Sequence, residues 1–204
     1  MICSFSDNRR IQYRMVELKL KRTLLRLDFS FFAVIALYLL LDESGFGLAA
    51  LAACAMHEAA HFIAMAVFGI PAEQLTLYGA GMCITSSGTE YAKPFQKAVI
   101  LSAGCFANFT AGFVFWRLGE YAAFAVNLFT GIFNLLPMGK LDGAGLLKMA
   151  VIKHCKAERV DTIMKIASIV SSLLCAAAFI AAGGRVSFTL ISTALYIIIM
   201  GVFG

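Results

Sequence analysis

The sequence predicts an all-α integral membrane protein of about six transmembrane helices, with a small interfacial β-hairpin near residues 72–92. Three observations predict it. Of the 204 residues, 61% are hydrophobic and only 14% are charged, with a mean hydropathy of +0.85. The apolar residues gather in six runs, each near the ~20 residues a helix needs to cross ~30 Å of hydrocarbon. The basic residues sit before and between those runs, as membrane orientation signals do. The net charge of +5 therefore does not read as a nucleic-acid surface, and no nucleic-acid partner is expected.

Residues 1–26 form a basic cytoplasmic N-terminal segment with seven Lys/Arg. Within it, Val16–Leu27 (VELKLKRTLLRL) reads either as a basic amphipathic helix on the membrane surface or as a solvated tail. Residues 27–204 make up one membrane-embedded domain, without linker or repeat. The first apolar run, 27–41, comes late and lacks a small-residue cleavage site, so it reads as a retained span. The others are 46–69, 96–116, 121–138, 164–182 and 186–203. With six spans and the N-terminus inside, 15 of the 17 Lys/Arg lie inside and two, Arg117 and Arg185, outside. Both termini are expected in the cytoplasm of a multi-pass protein, in a bacterial cell membrane. The six cysteines show no CxxC pair, and no disulfide framework is expected.

The stretch 72–92 is too short and glycine-broken for a span. Leu75, Leu77, Met82 and Ile84 alternate around Gly79 and Gly81, the pattern of a hairpin. Lipid cannot satisfy exposed backbone, so such a hairpin belongs at the interface or against protein.

The second run contains His57-Glu58-Ala59-Ala60-His61. Residues four apart share a helix face, so both imidazoles can bind one metal ion. Glu58 sits about 100° round the helix from His57, where its carboxylate can reach a water beside that metal. This is the HExxH arrangement of two zinc ligands and a general base. Three ionisable groups in an apolar span point to function; the alternative is hydrogen bonding between helices. A catalytic zinc takes three protein ligands. The best third candidate is Asp142 in FNLLPMGKLDGAGLL, where Pro137, Gly139, Gly143 and Gly145 allow a non-helical course. Asp142 also reads as a helix N-cap. His154 stands among Lys153, Cys155 and Lys156 and reads as a solvated loop residue.

HEAAH on a span, followed much later by NLLPMGKLDG, resembles the site-2 protease family of intramembrane zinc metalloproteases. LSAGCFANFTAG is similar to the family's middle helix, with Cys105 in place of its usual proline. The resemblance covers roughly residues 46–150. It implies one zinc ion per chain held by His57, His61 and Asp142, with Glu58 as catalytic base. It also suggests that Asn108 and Asn134 contact substrate or steady an oxyanion; bundle hydrogen bonding is the alternative for both. The chain most resembles the small sporulation-type branch, here without a CBS domain. The expected substrate is a membrane-bound protein, cut in or near its transmembrane segments. Two other classes use the same ligands: a metal transporter or sensor, which needs no general base, and an inactive membrane scaffold.

Overall fold

The computed structural model describes residues 15–20, 23–42, 46–78, 81–139 and 141–181. They form two compact units, residues 1–133 and 134–204. Among the described residues, the first unit holds a four-stranded sheet and five helices, and the second holds two helices.

Alternation, broken at the adjacent Leu24 and Leu25, marks the strands of the sheet. Strands β1 (Met15–Leu20), β2 (Thr23–Asp28), β3 (Gln74–Tyr78) and β4 (Gly81–Thr85) lie side by side in that order. β1 and β2 pair antiparallel, β2 and β3 parallel, β3 and β4 antiparallel. The register puts Val16 opposite Leu27, Leu18 opposite Leu25, Leu25 opposite Leu75, and Leu75 opposite Ile84. Residues two apart share a face, so these apolar residues line one side. Glu17, Arg26, Thr76 and Cys83 share the other row, where Arg26 Nε bonds Glu17 Oε1 at 2.8 Å.

The expected hairpin is therefore present, but it is half of a larger sheet. Val16–Leu27 is neither an amphipathic helix nor a tail. Its apolar residues fall at period two on either side of Lys21 and Arg22, and β3 supplies a long-range partner for β2. Pairing with β3 outweighs any local helical preference.

Helix α1 (Phe29–Leu41) starts at Asp28, whose side chain accepts from Ser30 N–H at 2.8 Å. Its 13 residues rise only ~20 Å, which is short of a bilayer. Helix α2 (Phe46–Val67) ends where Gly69 takes φ +67°. Gly69 N–H bonds Ala66 O, and Ile70 N–H bonds Met65 O at 2.9 Å, closing the helix as a Schellman turn. A short turn of helix, α3 (Gly88–Tyr91), leads to α4 (Pro94–Arg117). Pro94 suits the first helical position because it has no N–H to leave unpaired. Gly119 at φ +81° ends α4 in the same way as Gly69 ends α2. Helix α5 (Tyr121–Asn134) follows.

Helices α2 and α4 pack on each other. Met65, Ile70, Ile84 and Ile100 form the buried cluster that joins α2, its terminal turn, the sheet and α4. Each such side chain contributes roughly 1.5–3 kcal/mol on burial. The cluster fixes the height of α2 against α4, and so the position of the histidines one and two turns before Met65.

Among the described residues, α2 and α4 are the two helices long and apolar enough to cross a membrane. Only 28% and 33% of their apolar windows are buried. Leu48, Ile63, Val67, Phe106 and Phe113 all stand exposed. The core helix of a soluble protein would bury most of such a surface. The other four expected spans fare differently. α1 and α5 are short, with 13 and 14 residues. α7 (Ala157–Ala181) opens with Glu158, Arg159 and Asp161. The run 186–203 lies outside the described residues.

In the second unit, α6 (Asp142–Ile152) packs on α7. The link from α5 breaks at Leu135–Leu141, around Pro137 and Gly139 at φ +54°.

Candidate metal centre

The helical register of HEAAH puts His57 and His61 on one face of α2, and both are buried, at 3% and 0% exposure. Their Nε2 atoms stand 3.1 Å apart. Two nitrogens at ~2.05 Å from one tetrahedral zinc would stand ~3.3 Å apart. The pair is thus set at ligand spacing by the fold.

His61 Nδ1 lies 2.7 Å from the carbonyl of Ile100 on α4. A carbonyl only accepts, so the proton is on Nδ1. In the neutral ring the Nε2 lone pair then faces His57. Metal-binding histidines are commonly oriented by such a bond on their other nitrogen.

The pair can approach α4 this closely because residue 104 is glycine. A Cβ there would stand 2.5 Å from His57 Nε2 and 2.6 Å from His61 Nε2. Gly104 lies in the segment LSAGCFANFTAG, but nothing in the sequence alone says that its missing side chain faces two imidazoles.

Asn108 lies one turn beyond Gly104 on the same face of α4. It is 0% exposed, and neither amide atom finds a hydrogen-bond partner among the described residues. Burying an unpartnered amide is costly. Glu58 is half-buried on α2, beside the histidine face. Asn127, which the sequence reading passed over, is buried on α5, and its Nδ2 donates to Ala123 O at 2.9 Å.

In the second unit, Asp142 is 2% exposed and is the first residue of α6. The N-cap alternative does not hold: Leu141 occupies the cap position. A carboxylate in the first turn still gains from the helix dipole. Gly143, next in sequence, presses on the preceding loop; a Cβ there would stand 1.9 Å from Leu135 O. Asn134 ends α5 and is half-buried. His154 is exposed in the turn after α6, as expected of a solvated residue.

No protein-family model and no curated protein matches the chain. Among solved structures it resembles the site-2 protease from Methanocaldococcus jannaschii, with a TM-score of 0.65. The match covers 92% of this chain and 94% of that one, at 18% sequence identity. At that identity the likeness is one of fold: this chain has the fold of that protease.

Proposed function

We propose that the protein is an intramembrane zinc metalloprotease, hydrolysing peptide bonds in or near the transmembrane segments of membrane-bound protein substrates. The observation that carries the reading is the buried imidazole pair at 3.1 Å, on a span-length apolar helix, packed against Gly104 so closely that no Cβ fits between.

His57, His61 and Asp142 are proposed to hold one zinc ion per chain. Two imidazoles and a carboxylate are a donor set that can hold a metal, and they match the three-ligand pattern of catalytic zinc. The His57–His61 spacing and the absence of a side chain at Gly104, where a Cβ would crowd both Nε2 atoms, fit that role. When bound, zinc acidifies water and polarises a carbonyl oxygen. Glu58 takes the proton on a carboxylate oxygen as water attacks the scissile carbonyl. It then returns that proton to the leaving amine. Asn108, a buried amide lacking a partner among the described residues, is proposed to bond the substrate backbone or a developing oxyanion. Asn134 is proposed for the same task on the strength of its motif alone.

A helical substrate hides its carbonyls in internal hydrogen bonds and must unwind to be cut. β4 is an outer strand of the sheet, so an unwound segment can add to it as a further strand. The balance of basic residues supports six spans with both termini in the cytoplasm. His57 is then about 17 Å along α2 from its outer end, at 1.5 Å per residue. On this reading cuts fall near the cytoplasmic boundary of the substrate's span. The small sporulation-type branch is the part of the family that the chain most resembles.

The test is expression of Glu58→Gln beside wild type, with membrane proteomes compared for uncut substrates. Accumulation of intact substrates in the variant is expected. A variant that leaves the proteome and the phenotype of wild type unchanged would favour a transporter or sensor, which needs no general base.

A further inference from the structure

We infer that Ser168, on helix α7, is a positioning residue for Asp142: it clamps the broken loop from which the carboxylate is presented. The inference rests on the proposed role of Asp142 as a metal ligand.

Among its described residues, the loop 135–141 has few backbone bonds of its own. Met138 N–H reaches Leu136 O at 2.9 Å, and Leu141 N–H reaches Met138 O at 3.2 Å. Pro137 has no N–H. Gly139, turned to φ +54°, instead donates its N–H to Ser168 Oγ at 3.2 Å. The Ser168 hydroxyl in turn points at Pro137 O, at a weaker 3.5 Å. One buried hydroxyl thus bridges both sides of Met138. A turn further along α7, Ser172 Oγ lies 3.6 Å from Met138 Sδ. Ser168, Ser172 and Met138 are all buried, at 6%, 4% and 4%.

Two residues separate Gly139 from Asp142. On the far side, Gly143 is locked against Leu135 O. Asp142 is therefore held between two fixed points, and Ser168 supplies the one on the upstream side. A side-chain hydroxyl is suited to this because the loop, broken by Pro137, needs a donor and an acceptor within two residues. Removing it leaves the Gly139 N–H without its partner, and the loop must shift to find another.

The experiment is titration of the purified, metal-stripped full chain with Co²⁺, followed by its d–d absorption, for wild type, Ser168→Ala, Ser171→Ala and Asp142→Asn. Ser171 is equally buried on α7 and serves as the packing control. Ser168→Ala is expected to weaken Co²⁺ binding about tenfold or more, the scale on which supporting residues act on metal sites, and to change the band shape. Ser171→Ala should bind as wild type. Should Ser168→Ala not fold, Ser168→Cys, of similar shape but a poor hydrogen-bonding group, is read by the same criterion. Wild-type affinity in the Ser168 variant, with affinity lost in Asp142→Asn, would overturn the positioning role alone. An equal loss in Ser171→Ala would also overturn it, since the effect would then be one of helix packing. Wild-type affinity in Asp142→Asn would remove Asp142 from the site, and this inference with it.

Discussion

Replacing Gly104 with alanine puts one methyl group into the site and leaves every proposed ligand in place. The new Cβ would stand 2.5 Å from His57 Nε2 and 2.6 Å from His61 Nε2, where ordinary contact begins near 3.4 Å. Both rings must therefore retreat, by about 0.9 and 0.8 Å respectively. Metal–ligand distances tolerate only about ±0.2 Å. The displacement exceeds that several-fold and acts on two ligands at once. We expect zinc affinity to fall by ~100-fold, the upper end for changes around a metal site, or ~2.8 kcal/mol at ~1.4 kcal/mol per tenfold. The fold should survive. Overpacking costs roughly 1–3 kcal/mol, and the gain in helix propensity from glycine to alanine returns up to ~1 kcal/mol. Gly112→Ala is the control, because its Cβ would meet nothing closer than 3.6 Å. Competition titration with a zinc chelator, beside thermal unfolding of the same samples, separates binding from stability. Wild-type zinc affinity in Gly104→Ala would mean that His57 and His61 do not bind metal through the nitrogens that face this glycine.

Gly143→Ala should destabilise the second unit at the upper end of the ~1–3 kcal/mol range for overpacking, because the obstacle at 1.9 Å is the Leu135 backbone; an unchanged melting temperature would refute the loop geometry. The Ser87 hydroxyl, and then its N–H, bond Glu73 and hold its carboxyl below its ordinary 4.5. That contribution is present above the ordinary value and is lost as pH falls through the lowered one. Protection factors at β3 and β4, which correct for the intrinsic pH dependence of exchange, should accordingly fall at acid pH in wild type, and Ser87→Ala should flatten this dependence. Reporter fusions at Met1 and Gly204 should both report cytoplasm, and an external C-terminus would contradict the six-span orientation.

The histidine pair was more legible in the sequence than the fold around it. The spacing of His57 and His61 on an apolar helix has one geometric consequence, and it holds. The alternation of Leu75, Leu77, Met82 and Ile84 likewise predicts the common face that the strand register produces. Val16–Leu27 was harder, because its partner β3 lies some 50 residues away and its cations suit a membrane-surface helix equally well. The parallel pairing of β2 with β3 has no local signature at all. Gly104 and Ser168 were illegible for a related reason. One matters through what it lacks beside a neighbouring helix, the other through a bond to a loop 29 residues earlier. Asp142 reads from sequence either as a metal ligand or as a helix N-cap; the structure puts Leu141 at the cap and Asp142 one step inside α6, which depends on how the 135–141 loop turns.

The most direct test of the account is cleavage of a membrane-spanning substrate by the purified chain in liposomes, read by mass spectrometry of the products. Wild type should cut near one boundary of the span, stop when a chelator removes zinc, and resume when zinc is restored. Glu58→Gln should retain zinc and slow the cut by ~10²–10⁴-fold, the usual contribution of a general base. Cutting by Glu58→Gln at the wild-type rate, or by the zinc-free protein, would contradict the account.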